Sequence, residues 1–278
     1  MIIAFEKNKT LIPITAVVLT IIAMIFMGLI EAVIPTEAIP SAIASTVLRI
    51  LISALFIVII KKLFGMKIGI GKSGLVKGVF LYGLFICIAA VSNFIGSYMT
   101  PEKSFIQALP WLLLYFIFYM TVGIVEEIIY RGLIFNSFRK YFGESKKGIY
   151  CSVFLSATVF GIVHITNLIF APDLVIATIT QVIYAFFFGV LIAVIYFRTE
   201  NLLPCIILHG ISDFISFFLT CFAEDLEKQI EVSNTTDMDI VSALILIGLM
   251  STFLISGLWQ LGRIFKKRQV TEKETAGD

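Results

Sequence analysis

"SFIQALPWLLLYFIFYMTVGIVEEIIYRG", residues 104–132, carries no charge from Ser104 to Val125 and then sets two adjacent carboxylates, Glu126 and Glu127, before Arg131. An apolar run of about 20 residues is the length of a membrane-crossing helix. Ionisable groups inside such a run are costly, and they mark function by default.

The rest of the chain agrees with that reading. Of 278 residues, 59% are hydrophobic and 14% charged, against about 45–50% and about 25% in soluble domains. The expected fold is all-α, a polytopic membrane helix bundle. Eight spans are expected, at about 10–34, 42–60, 75–98, 106–130, 150–170, 174–197, 203–222 and 240–262. Span four can continue past Arg131, because Leu133, Ile134, Phe135 and Phe138 are apolar. The first run follows Lys7 and Lys9, but its apolar core is too long for a signal peptide, so an uncleaved helix is expected. No repeat, low-complexity tract or linker divides the chain. One membrane domain over 1–278 is expected, with a polar cytoplasmic tail at 266–278.

Orientation follows from Lys and Arg in short loops. One set of segments holds Lys7 and Lys9, then Lys61, Lys62, Lys67, Lys72 and Lys77, then Arg139, Lys140, Lys146 and Lys147, then Arg198, and last Arg263, Lys266, Lys267 and Arg268. The opposite loops hold Lys103 and Lys228 beside an acidic stretch at 224–239. Both termini are therefore expected in the cytoplasm, in a cell-membrane protein surrounded by lipid. A net charge of +2 gives no argument for nucleic acid, and none is expected as a partner. Cys87, Cys151, Cys205 and Cys221 show no CxxC or zinc-ligand spacing and read as small apolar packing residues.

The polar residues within spans are Arg49, Asn93, Glu126, Glu127, Arg131, His164, Asn167, Gln181, His209 and Asp213. Glu127 and Arg131 are four apart with the acid first, the favourable order for an ion pair on one helix face. Glu126 is rotated about 100° away and has no basic partner at that spacing, so it is the expected free acid. His209 and Asp213 share a face at the same interval. His164 follows Phe160 by one turn and precedes Asn167 by nearly one. Asn93 and Gln181 read as interhelical hydrogen-bond partners. Arg49 pairs with an acid or snorkels, and receives no role. Alone, each polar group has a structural explanation: an ion pair, a packed histidine, a polar clasp. Together they fall on spans four, five and seven, and one carboxylate with two imidazoles is a set suited to activating water. His209 lies roughly 10 Å and His164 roughly 20 Å into their spans at 1.5 Å per residue. The expected site is inside the bilayer and opens toward the cytoplasm.

"EEIIYRG" (126–132) resembles the EExxxR motif of the CAAX protease and bacteriocin-processing family, "FGIVH" (160–164) its FxxxH motif, and "HGISD" (209–213) its third, a histidine followed four residues later by Asn or Asp. "YFRTENLLPCIILHG" (196–210) resembles the usual approach to that last histidine. The likeness covers about residues 120–220, the motif-bearing core. It implies an intramembrane glutamate protease without a metal or other cofactor. Glu126 would activate water, His164 would hold or polarise it, and His209 with the residue at 213 would stabilise the oxyanion. Glu127 and Arg131 would organise the motif, beside Phe160 and Asn167. Several characterised relatives carry Asn at 213. An ionised Asp213 cannot donate a hydrogen bond, so it is expected to orient His209 and favour an imidazolium donor. Relatives act on lipidated CAAX tails, on secreted peptides or their leaders, or on membrane proteins, so a peptide or protein substrate is expected. Two other functions stand beside this one. A zinc peptidase would take Glu126, His164 and His209 as ligands, although no HExxH is present. A non-catalytic binding, regulatory or bacteriocin-immunity protein would keep the motifs without turnover. A transporter is disfavoured by the lack of repeat symmetry.

Overall fold

The structure is a computed structural model that describes residues 8–34, 37–96 and 101–276. Lys7 of the basic set, residues 97 and 98 of the third expected span and the last two residues of the tail lie outside the described residues. Among the described residues the chain is helix and turn, without strand. Within hydrocarbon a backbone must satisfy its own polar groups, and a helix does so within one segment.

The long helices are α1 (Leu11–Glu31), α2 (Ala38–Leu63), α4 (Phe105–Phe142), α5 (Lys146–Phe170), α6 (Val175–Thr199), α7 (Leu202–Phe222) and α9 (Ile240–Ala276). Seven described helices are long and apolar enough to cross a membrane. The remaining expected span is α3 (Leu84–Gly96), a shorter helix. Its approach, Lys77–Tyr82, is wound as a π-helical turn and breaks at Gly83. Asn93 of α3 nevertheless donates to Ser216 at 2.9 Å, and Phe94 packs edge-on to Phe218 near the far end of α7. The segment from 77 to 96 thus runs alongside α7 through the bundle. The chain is an integral, multi-pass membrane protein. A short helix, α8 (Leu226–Thr235), joins α7 to α9.

The outer surface is apolar in the manner lipid requires: Ile106 is 82% and Leu244 63% exposed, whereas Thr20, Ser53 and Ser256 are buried. The main core gathers Ile128, Ile129, Leu133, Ile134 and Phe135 with Val190 to Ile195 and Leu202. A second apolar cluster, at the other end of α7, joins Ala38, Leu112, Tyr115, Cys221, Phe222 and Leu226. The four cysteines are free, and Cys205 and Cys221 are buried, as packing residues would be.

The two ends of the bundle differ in charge. At one end Lys140 donates to the Phe64 carbonyl, Arg139 pairs with Glu144 and Glu200, and the Asn201 amide donates to the carbonyls of Gly71 and Ser73. These bonds gather the basic segments onto one face. At the opposite end the Ala38 N–H donates to Glu227, the Glu224 N–H to Glu102, and the N–H groups of Ile176 and Ala177 to Asp237. The basic tail does not leave the helix early: α9 continues to Ala276.

Candidate active site

Adjacent glutamates on one helix can serve one neighbour only if backbones come close. α4 and α7 do so at Gly123 and Gly210. A Cβ on Gly123 would stand 2.9 Å from the Gly210 nitrogen and the Ile206 carbonyl oxygen. One on Gly210 would meet Met120 Cα at 3.0 Å and the Tyr119 oxygen at 3.1 Å. The crossing lies one turn before Glu126 and one residue after His209, so it brings both carboxylates to the imidazole.

Immediately after Glu127 the helix changes winding. Ile128–Phe135 form a π-helical segment before the α-helix resumes at Asn136. Such i→i+5 turns are rare, and they concentrate at functional sites. Glu127 and Arg131 bracket the start of this segment. Arg131 Nη1 donates to Glu127 Oε1 at 2.7 Å, and both side chains are almost wholly buried. Arg131 Nη2 reaches the Gly189 carbonyl of α6 at 3.3 Å, and the guanidinium lies 4.9 Å from the centre of the Phe160 ring of α5. The ion pair expected from spacing is present, but Glu127 does more than hold Arg131. Its Oε1 also lies 2.7 Å from His209 Nδ1. A carboxylate only accepts, so an ionised Glu127 fixes Nδ1 as the donor and turns Nε2 the other way.

On that other side stand Glu126 Oε2 at 3.5 Å and Asp213 Oδ2 at 3.6 Å. Both are ion-pair separations, longer than good hydrogen bonds. Phe160 and Phe188 pack edge-on against the imidazole at 5.8 and 5.1 Å between centroids. The ring is held from four directions and is 5% exposed.

Glu126 faces a cavity of about 390 Å³, lined by His164 and Asn167 of α5, Arg49 of α2 and the last turns of α1. His164 sits where α5 tightens into a 3₁₀ turn, with its ring 5.3 Å from that of Phe160. Asn167 donates to Gln181 at 2.9 Å, so Gln181 is the interhelical partner expected of it. All of Glu126, His164, His209, Asp213, Glu127, Arg131, Phe160 and Asn167 thus fall in or against one cluster.

The cavity reaches the ends of two helices. Glu31 and Ala32 end α1, and Phe170 ends α5; both ends lie away from the basic face. On the basic side the cluster is sealed by Glu127, Arg131, Leu133, Ile134 and Phe135, each 0–2% exposed. These packed side chains stand between the cluster and the basic face.

Arg49 finds the acid expected as one of its two options, and the identity of that acid is new. Arg49 Nη2 pairs with Glu31 Oε1 at 2.6 Å, its guanidinium lies 4.5 Å from the centre of the Phe118 ring, and Nη1 is buried without a hydrogen bond. An arginine in an apolar span with no acid one turn away needs one from another helix. Glu31, at the edge of span one, was the nearby signal. Phe188 and the Gly189 carbonyl carry no sequence signal of their own. Among the described residues no group of three or more His, Cys, Asp or Glu side chains is arranged to hold a metal ion.

Residues 108–215 match the family described as type II CAAX prenyl endopeptidase Rce1-like. The match contains every motif residue and agrees with the resemblance to the CAAX protease family. No curated protein and no solved structure matches the chain significantly.

Proposed function

We propose that the chain is an intramembrane endopeptidase that hydrolyses a peptide bond of a membrane-associated peptide or protein, with Glu126 as the general base. The observation that carries this is the division of labour between the two glutamates. Glu127 is occupied by Arg131 and by His209 Nδ1. Glu126 has no such bond, is 18% exposed, and looks into the cavity it shares with His164.

In the proposed reaction a water between Glu126 and His164 attacks the scissile carbonyl, and its proton passes to Glu126. The carbonyl oxygen becomes an oxyanion. His209 stabilises it from Nε2; with Nδ1–H given to Glu127, the ring donates there only as imidazolium. The three surrounding carboxylates are the counter-charges such a ring needs. Glu126 then returns the proton to the leaving amine as the C–N bond breaks. Glu127, not Asp213, orients the imidazole in this scheme, and Asp213 contributes charge on the Nε2 side. Asn167 and Phe160 position the α5 end of the cavity. No step requires a metal or other cofactor, and chelation with EDTA is expected to leave turnover unchanged.

The test is hydrolysis of a peptide library by the purified protein in detergent. Cleavage is expected, with Glu126→Gln slowing it by roughly 10²–10⁴-fold, the usual range for losing a positioned base. No cleavage, or equal cleavage by Glu126→Gln and His209→Ala, would remove the reading. A cellular phenotype that survives Glu126→Gln would point instead to a binding or regulatory protein.

A further inference from the structure

Arg49 takes no part in the hydrolytic cluster, yet it lines the same cavity of about 390 Å³ as Glu126 and His164. A guanidinium within an apolar span is costly and marks function by default. Its fork suits both oxygens of one carboxylate, but Glu31 meets it through a single contact, Oε1 to Nη2 at 2.6 Å. That contact lacks the direction of a hydrogen bond: Glu31 Oε1 and Arg49 Nη1 are both buried with no hydrogen-bond partner among the described residues. Glu31 is the last residue of α1, the end at which the helix dipole disfavours an acid. Its side chain is 33% exposed, against 13% for Arg49. Arg49 is also held over the Phe118 ring at 4.5 Å, so it is the fixed partner and Glu31 the one able to leave. The other acids answer other cations: Glu127 is bound to Arg131 and His209, and Glu126 and Asp213 face His209 Nε2.

We propose that Arg49 is a subsite for a carboxylate of the substrate, and that Glu31 occupies it until that carboxylate arrives. The exchange replaces one contact by two parallel N–H···O bonds. The carboxylate belongs either to a free C-terminus or to an Asp or Glu side chain of the bound segment. Arg49 thereby selects which segment is held in the cavity and takes no part in bond cleavage. The inference deepens the peptidase reading and rests on it for the fate of the bound segment. The binding itself does not depend on it.

Capture of short peptides by the Glu126→Gln protein in detergent tests the subsite without turnover. The probes are N-acetylated hexapeptides in three series. One has a free C-terminal acid and no acidic side chain, one a C-terminal amide and an internal Glu, and one a C-terminal amide and an internal Gln. The expected result is retention of one or both carboxylate series, with the Gln amides held roughly 10–100-fold more weakly, the scale of a hydrogen bond to a charged group. The carboxylate series that is retained identifies the source. Adding Arg49→Gln should erase the difference. Adding Glu31→Gln should instead strengthen retention of the carboxylate peptides, because their competitor is gone, and those peptides should raise its thermal midpoint. A purely structural ion pair would give no such gain. Where Arg49→Gln does not fold alone, the double variant Glu31→Gln, Arg49→Gln removes both charges together. Retention of no series, equal retention of all three, retention unchanged by loss of Arg49, or weaker retention in Glu31→Gln overturns the proposal. Failure of the parent chain to hydrolyse any retained peptide would remove the peptidase reading and leave the subsite standing, so the two failures are distinguishable.

Discussion

Glu127 and Arg131 cannot be separated without stranding a charge. Removing one partner of a buried pair costs about 3–5 kcal/mol, so Arg131→Met should lower the thermal midpoint in detergent sharply. Glu127→Gln should do the same and also release the His209 ring. Glu126→Gln keeps the shape, lies on the cavity side, and should leave the midpoint unchanged while turnover falls. Equal midpoints for Glu126→Gln and Glu127→Gln would mean that the two acids are not divided in this way. The spacing in "EEIIYR" is enough to foresee the ion pair, because four residues on a helix place two side chains on one face. It is not enough to foresee the Glu127–His209 bond. That contact belongs to the crossing of two helices far apart in sequence, and only the packing of Gly123 on Gly210 brings it within reach.

The crossing of α4 and α7 has its own test. Gly210→Ala would push a methyl against the Met120 and Tyr119 backbone, and overpacking of this kind costs about 1–3 kcal/mol. Loss of turnover with normal insertion is expected, since the displaced helix carries His209. α6 presents a different dependence. Leu174 offers no side-chain cap, and Asp237 caps the helix from a distant loop, accepting from Ile176 and Ala177 at 3.0 and 2.9 Å. The Ala177 N–H, with those of Ile176 and Met238, holds the Asp237 carboxyl below its ordinary value. A lowered pKa in the folded chain means that the stabilisation is complete above the ordinary aspartate value, about 3.9, and is lost as pH falls through the lowered one. Protection of the Ile176 and Ala177 amides, relative to their intrinsic exchange rates, should therefore be high at neutral pH and fall in strong acid. Asp237→Ala should lower it throughout. Nothing in the apolar run of span six announces this cap, because the acid that supplies it is about 60 residues downstream.

For the molecule as a whole, the apolar runs foretold the bundle, and the structure places their ends on two faces of opposite character. Span three shows what hydropathy misses: a run long enough to cross is divided by a π turn and a break at Gly83, yet it still reaches the far end of α7. If 77–96 crosses, the chain spans an even number of times, and epitope tags at both termini should be reached from the cytoplasm only. A tag at one terminus exposed outside would mean that this segment does not cross. Depth along each helix gives a position for His209 and His164, but empty space is set by which neighbours fill the gaps. Here Arg131, Leu133, Ile134 and Phe135 are packed on the basic side of the cluster.

The π segment at Ile128–Phe135 also makes the protein's length a matter of phase. It carries the helix past the two glutamates with a winding that an α-helix would not keep, and everything beyond it is aligned to that offset. Asn136 meets the Tyr196 hydroxyl at 3.0 Å, and Arg139 meets Glu200 at 2.7 Å, only in this alignment. Adding one residue after Phe135, where ordinary winding resumes, should swing the basic end of α4 by about 100° relative to Glu126. The glutamates would remain in place while the end of the helix lost its partners. Such an insertion should be more damaging than most substitutions, whereas removing one residue of the π segment should let it relax to ordinary winding with the end of the helix nearly in phase.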